Sequence, residues 1–434
     1  MKVKPRGVIQ RRSVLAAVIT LILASLAGNP AASAATAGSD PFYSYSGSAP
    51  LSSFAPGTVL KTRTVPYHVI GIPLPLQVVQ LLYRSTGPLG QPTANVTSVV
   101  KPPVAPATPK AVSYQSFYDS LNPEDGPSRA IAGDVRIPGL IANFESVFLV
   151  PWLTQGYTVL FPDTEGQTAD FAAGPEYGMN TLDSIRAADR SPATGLTQDT
   201  KVGAIGYSGG AIATGWAAQL APSYAPDVNR NLVGAAEGGV LANPRKNLDY
   251  VSGTPVWAGA LIMAVIGAGR AYDIDLTPYL NSQGLALYDK LQHSSIIDAL
   301  PQSSGLTWQK LVKPQYASSP ESIPVFVDTI KKITMLGAAS PTVPMLIGQG
   351  ANGVLEGTPG KKPGIGAGDG VMVTADVRAL ARQFCADGTA VQYNQYDLLS
   401  HVGTAAAWFP LALSWLDGRF AGKTAPDNCG QIPS

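Results

Sequence analysis

Ser208 stands in Gly206-Tyr207-Ser208-Gly209-Gly210, after the apolar run Val202–Ile205 and before a stretch of small residues opening at Ala211. A short buried strand, a glycine-rich turn and a helix form a nucleophile elbow, which lifts a serine hydroxyl onto a sharp, strained corner. The glycines let the backbone turn tightly and leave the oxygen exposed. The helix behind aims its N-terminal N–H groups at negative charge forming beside that oxygen. The chemistry of such a corner is the making and breaking of acyl bonds.

A serine hydroxyl needs a base to take its proton, and the base needs a partner to hold its tautomer. The chain has only three histidines. His68 lies upstream of the expected core strands and His293 within an expected helical insertion, so both read as structural. His401, in Leu398-Leu399-Ser400-His401-Val402-Gly403, falls on a loop between a late strand and the last helix. In an α/β-hydrolase the order along the chain is serine, acid, histidine, and His401 alone fits it. The acid then belongs after the strand Val343–Ile347. The loop Gly348–Gly370 follows, and Gly368-Asp369-Gly370-Val371-Met372-Val373 offers Asp369. Glu356, Asp376 and Asp397 compete, but Asp376 falls within an expected helix and Asp397 is very close to His401 in sequence. For an oxyanion, the N–H of Gly209 needs a second donor from an earlier loop. Asp119, at the end of an early strand, is available for it.

These residues need a scaffold, and the pattern around them is α/β. Strand-like runs are expected at Gln77–Tyr83, Thr97–Lys101, Lys110–Phe117, Tyr157–Pro162, Val202–Gly206, Asn231–Ala236, Val343–Ile347 and Ala390–Tyr396. Helical spacing marks Tyr177–Asp189, Ala211–Leu220, Ala375–Cys385 and Ala405–Asp417. Alternation of this kind indicates a mostly parallel sheet covered on both faces. Residues 35–66, polar and punctuated by Pro, Gly and Ser, read as an extended lead-in. Between Glu237 and Ser322 the rhythm changes to helices alone, as in a cap inserted between two core strands. Its apolar stretch Val256–Ala268 reads either as a buried helix or as a lid element shaping an acyl pocket. The expected division is a leader at 1–34, a first core part at 35–236, the cap at 237–322 and a second core part with its tail at 323–434.

The leader has the form of an export signal. Lys2, Lys4, Arg6, Arg11 and Arg12 precede the apolar run Val14–Ala27 and the small-residue site Ala32-Ser33-Ala34, with cleavage expected after Ala34. The run is short for a membrane span, so no stable span is expected once it is removed. Arg11-Arg12-Ser13-Val14-Leu15 resembles a twin-arginine signal; an ordinary secretory signal is the alternative. Removing those five positive charges takes the formal net charge from +1 to about −4. No basic tract is present, which argues against a nucleic-acid partner. In an oxidising compartment the only two cysteines, Cys385 and Cys429, pair as one disulfide that clips the C-terminal tail to the core. Two cysteines and three histidines leave no plausible metal site.

Further marks accompany the elbow: Ser113-Tyr114-Gln115 with Tyr118-Asp119-Ser120, Gly156-Tyr157, Asp163-Thr164-Glu165-Gly166, Gly178, and Leu182-Asp183-Ser184-Ile185-Arg186-Ala187. With Ser400-His401 and the cysteine pair, they spread over most of the chain beyond the leader. Together they resemble the secretory lipase family of the Candida antarctica lipase A type, shared with many actinobacteria. The resemblance implies an α/β-hydrolase core with a mainly helical cap. It also implies hydrolysis of carboxylic esters such as acylglycerols, at a lipid–water interface where the substrate is a lipid, without a metal or organic cofactor. Carried over by position, Ser208 is the nucleophile, His401 the base, and Asp119 with Gly209 the oxyanion site. The family's acid stands in a run ending Asp-x-x-Val-Pro. Asp369-Gly370-Val371-Met372-Val373 is similar to it, after an enlarged loop and with Val373 in place of proline. The same triad also serves acyltransferases, polyester hydrolases and serine peptidases, and a non-catalytic lipid-binding relative would keep the scaffold.

Overall fold

The computed structural model describes residues Asp40–Ser434; the expected leader and its cleavage site lie outside them. Nine strands form one sheet, here labelled β1 (Val59–Val69), β2 (Ile72–Thr86), β3 (Pro92–Val100), β4 (Lys110–Gln115), β5 (Thr158–Pro162), β6 (Lys201–Tyr207), β7 (Leu232–Gly238) and β8 (Met345–Gly350), with Val391–Tyr396 at the far edge. Their order is β1-β2-β3-β5-β4-β6-β7-β8 and then the edge strand. The pairs from β1 to β3, and β3 with β5, are antiparallel; all pairs from β5 onward are parallel. The parallel strands β5 to β8 are almost wholly buried, which is why they read as continuous apolar runs rather than as alternation.

The first hairpin departs from the sequence reading. Residues 59–66 were expected to be lead-in, but they belong to β1, which pairs with β2 across a turn at Ile70 and Gly71, both at positive φ. β1 is an edge strand, half-buried along most of its length. An edge tolerates polar residues and Pro66, where the register shifts, so its sequence looks like coil.

Helices cover both faces. On one side lie α1 (Gly174–Arg190), α2 (Gly209–Tyr224) and, later in the chain, Thr374–Ala386, whose Leu182, Ala217 and Phe384 share one core with the sheet. On the other side Trp408 and Trp415, from the last helix, join Ile131 and Trp152 from short helices after β4. Between β7 and β8 the chain makes only helices, from Pro244 to Lys332; the last of them, Pro324–Lys332, lies past residue 322. The central one, α3 (Gly259–Ala271), carries the apolar stretch noted in the sequence. Its Leu261, Ile262, Met263 and Ile266 are buried in a core that the insert shares with Leu121, Phe171 and Val373, each worth about 1.5–3 kcal/mol. Thr374–Ala386 is α4, and the last helix, α5, spans His401–Phe420. Among the described residues no helix is long and apolar enough to cross a membrane.

Cys385, near the end of α4, is bonded to Cys429, closing a separation of 44 residues. Loop-closure entropy for that length is worth about 4 kcal/mol. The tethered tail also covers the open sheet edge: the Asn428 side chain accepts from Tyr393 N and donates to Tyr393 O, both at 2.8 Å. A paired edge is protected from association with other strands.

Glu237, on β7, is fully buried, and neither of its oxygens has a hydrogen-bond partner among the described residues. Burial pushes its carboxyl up to about 8. The unfolded chain releases this proton near pH ~4.3, while the folded chain keeps it, so stability falls as pH rises through that window by about 1.4 kcal/mol per unit. Glu237→Gln keeps the shape and removes the titration. We expect it to leave Tm nearly unchanged at about pH 4 and to raise it by several degrees at about pH 8. Equal effects at both pH values in thermal unfolding would contradict this.

Candidate active site

The elbow follows directly from its residues. Ser208 sits between β6 and α2 with φ 55° and ψ −119°, a conformation that typically costs about 1–3 kcal/mol for a residue with a side chain. Its backbone is fixed at both ends: Ser208 N donates to Gly238 O at 2.8 Å, and Ala211 N donates to Ser208 O at 2.9 Å. Two glycines permit the crossing. A Cβ on Gly206 would collide with Gly210 O and Thr214 Oγ1, and one on Gly210 with Gln115 O. The helix begins at Gly209 itself, earlier than the expected Ala211. The Gly209 N–H therefore belongs to the first turn, where no intrahelical acceptor exists.

His401 lies against the serine. Its Nε2 is 2.8 Å from Ser208 Oγ, and its Nδ1 is 2.9 Å from Asp369 Oδ2. A carboxylate can only accept, so Nδ1 carries the proton and Nε2 is left to accept from the hydroxyl. His401 is the first residue of α5, not a residue of the preceding loop, because Ser400 already accepts from Thr404 N at 2.8 Å and opens the helix there. The Tyr207 hydroxyl donates to His401 O at 2.6 Å. Burial pushes the imidazole down. The Asp369 charge and hydrogen bond, followed by the charges of Glu356 and Asp119, push it up, and the net displacement is upward.

Asp369 is fully buried. Its Oδ1 accepts from Val371 N at 3.0 Å and Met372 N at 2.7 Å, and its Oδ2 accepts from Gln349 Nε2 at 2.9 Å as well as from His401. His401 N in turn donates to Asp369 O at 2.7 Å. The competing acids are engaged elsewhere. Asp376 pairs with Lys246 at 2.7 Å, exposed Asp397 accepts from Gln395, and Glu356 accepts from Trp257 and Val402. His68 lies on β1 with Nδ1 3.0 Å from Ile131 O, and His293 is exposed in the insert.

Asp119 stands beyond the end of β4, at φ 42°, in the loop that faces the elbow. Its Oδ1 lies so close to Gly209 that a Cβ there would overlap it. That oxygen is buried with no hydrogen-bond partner among the described residues. Burial pushes the carboxyl up to about 7, against the pull of His401. Three further buried carboxyls strap this loop, and the sequence reading gave none of them a role. Glu145 accepts from Ser116 Oγ, from the Tyr114 hydroxyl at 3.0 Å and from Phe117 N at 3.3 Å. Glu165 accepts from Ser120 N at 3.1 Å and from the Tyr177 hydroxyl at 3.0 Å. Asp125 accepts from Ser120 Oγ at 2.7 Å. In the sequence, only Glu165 carries a hint, through its place in Asp163-Thr164-Glu165-Gly166. The helical insert also binds this loop through its backbone: Ile296 N donates to Asp119 O at 2.8 Å, and Leu121 N to Ser294 O at 3.0 Å.

Ser208, Gly209 and Asp119 line one cavity. Its walls are apolar and come mainly from the insert, with Leu261, Val265 and Phe326 among them. An apolar hollow with a few convergent polar groups at one end is the form of a small-ligand site. Among the described residues no cluster of His, Cys, Asp or Glu could hold a metal ion.

The parallel sheet, the strained serine at the end of β6 and the order Ser208, Asp369, His401 define an α/β-hydrolase. Comparison with known proteins narrows the class. A family model described as secretory lipase matches residues 134–428. A Mycobacterium tuberculosis protein named "Probable inactive lipase" is 33% identical over 86% of this chain and 80% of its own length. Lipase 4 of Candida albicans is 30% identical over 91% of this chain and 83% of its own. The solved structure of Candida antarctica lipase A in its closed state superposes with a TM-score of 0.79 at 27% identity, covering 91% of this chain and 89% of that one. The chain belongs to the secretory lipase family, and its relatives and structural neighbours support an ester hydrolase.

Glu165 holds the loop that carries Asp119, so its effect is on positioning. We expect Glu165→Ala to lower kcat for a short ester about tenfold or more with little change in KM. Glu165→Gln keeps an acceptor for Ser120 N and should restore most of the loss. Equal kcat in wild type and Glu165→Ala, measured on folded protein, would contradict the positioning role.

Proposed function

We propose that this chain is an exported serine ester hydrolase that cleaves carboxylic esters of apolar acids, acylglycerols among them, through an acyl-enzyme. The observation that carries the reading is the continuous hydrogen-bonded line Asp369–His401–Ser208, which ends at an apolar cavity. Ser208 Oγ attacks the ester carbonyl as His401 Nε2 takes its proton. Asp369 holds the Nδ1–H tautomer and stabilises the imidazolium. The N–H groups of Gly209 and Asp119 bind the oxyanion. His401 returns the proton to the departing alcohol, and water then attacks the acyl-enzyme by the same route.

The helical insert serves as the cap in this proposal, and its apolar walls receive the acyl chain. The family and the disulfide support an extracellular protein; export through the twin-arginine signal and cleavage after Ala34 belong to the proposal. The relative named an inactive lipase makes a non-catalytic member the rival reading. Against it stand an activated hydroxyl, a held imidazole and a buried acid in hydrogen-bonding order.

Hydrolysis of p-nitrophenyl esters of increasing chain length, beside an emulsified triacylglycerol, tests the reading. Turnover is expected, and Ser208→Ala should lower it by about 10⁴-fold or more without unfolding the protein. Asp369→Asn should cost about 10³- to 10⁴-fold, chiefly in kcat. Wild-type activity in Ser208→Ala would sink the mechanism, and the absence of turnover in the wild type would favour the non-catalytic reading.

A further inference from the structure

Glu356 is the carboxylate near His401 that the proposed mechanism leaves unused. It lies on a short turn, Gly353–Glu356, inside the enlarged loop between β8 and Asp369. That loop is laced to the segment before His401, with Ala351 N donating to Tyr396 O and Asn352 N to Leu399 O, both at 3.1 Å. From this base Glu356 reaches two other parts of the molecule. Its Oε1 accepts from Val402 N, in the first turn of α5, at 2.8 Å. Its Oε2 accepts from Trp257 Nε1 at 2.9 Å.

Trp257 comes just before α3 in the helical insert. Its ring stands edge-on to the His401 imidazole, with centroids 5.5 Å apart and planes at 76°. It also forms part of the cavity wall shared by Ser208 and Gly209. One carboxylate therefore ties together the acid loop, the helix that carries His401 and the wall of the acyl cavity. We infer that Glu356 is a positioning residue of this site, clamping Trp257 against His401 and so fixing the width of the cavity beside Ser208.

The chemistry favours a clamp. An indole has a single donor and holds its orientation through it. Bonds from neutral donors to a carboxylate are roughly twice as strong as neutral pairs, and a carboxylate is favoured at a helix N-terminus such as that of α5. The backbone makes room for the pair: a Cβ on Gly370, at φ +124°, would stand 3.2 Å from Glu356 Oε2 and 3.4 Å from Trp257 Nε1. With both oxygens bound to these donors, Glu356 steadies the wall and does not replace Asp369 on the imidazole.

The clamp has an electrostatic signature as well. Acidic groups from two separate loops face His401: Asp369 and Glu356 from one, and Asp119 from the other. The Tyr207 hydroxyl and the Trp257 indole, packed on the same ring, are neutral at working pH. Glu356 is among the charges that hold the imidazolium, so removing its charge should let His401 lose its proton at lower pH. Loss of Trp257 alone should not have that effect.

The inference rests on the ester-hydrolase reading for its consequence but not for its first readout. In full-length Glu356→Gln, Glu356→Ala and Trp257→Phe, His401 is titrated by NMR, and kcat/KM is measured for linear and α-methyl-branched p-nitrophenyl esters. In both Glu356 variants the imidazole should titrate at lower pH, and in Trp257→Phe it should stay in place. Glu356→Ala should raise the branched-to-linear ratio of kcat/KM about tenfold, the scale at which one methyl group is discriminated in a snug pocket. Trp257→Phe, which loses the N–H but keeps a ring, should raise it less. An unchanged titration and an unchanged ratio in Glu356→Ala would overturn the clamp. A shifted titration in a chain that hydrolyses no ester would support the clamp and defeat the hydrolase reading.

Discussion

A carboxylate with no access to solvent must have its lone pairs occupied, or it takes up a proton and stops supporting its neighbour. Asp369 meets that condition with four donors: two backbone N–H groups two and three residues ahead, one amide from β8, and the imidazole of His401. The geometry of the rest follows. Gln349, which supplies the amide, also accepts from Val240 N just past β7 at 3.2 Å. The ends of β7 and β8, the acid loop and the start of α5 therefore meet on one buried charge. The imidazole is delivered to Ser208 by backbone as well as side chain, since His401 N donates to the carbonyl of the same aspartate.

The opposite side of the elbow is built on a different principle. The loop carrying Asp119 is held by Glu145, Glu165 and Asp125, all buried, and burial is the largest influence raising each of them. Buried acids of this kind contribute little net stability, because desolvation offsets most of what their hydrogen bonds return. They do fix direction, and the proposed oxyanion site needs donors placed before the charge appears. The insert shares in this placement through backbone bonds from residues 294–296 to residues 119–121. Any movement of the insert is thereby coupled to the loop carrying Asp119, while Glu356 and Trp257 couple it to the histidine side.

What the residues disclose in advance depends on how local the physics is. The elbow was legible because a strained turn needs glycines at fixed offsets, and all of them lie within a few positions of Ser208. The parallel strands were legible because burial on both faces leaves uninterrupted apolar runs. His401 and Asp369 were legible through chain order, a property of topology rather than of their neighbours. β1 was missed because an edge strand faces solvent and accepts proline. Glu145, Glu165 and Glu237 were missed because a buried acid looks like a surface acid until its distant partners are known. Glu356 was read as a candidate acid; its position against Trp257 and Val402 emerges only when three segments far apart in sequence converge.

The central claim is that Ser208 is an activated nucleophile whose proton passes to His401. The most direct measurement is the pH dependence of labelling by an organophosphonate ester, with the adduct mapped by peptide mass spectrometry. One adduct per chain, on Ser208, is expected, forming at a rate that falls as pH drops through the titration of His401 and becoming negligible in His401→Ala. No adduct, or one on another residue at a rate indifferent to His401, would contradict the claim.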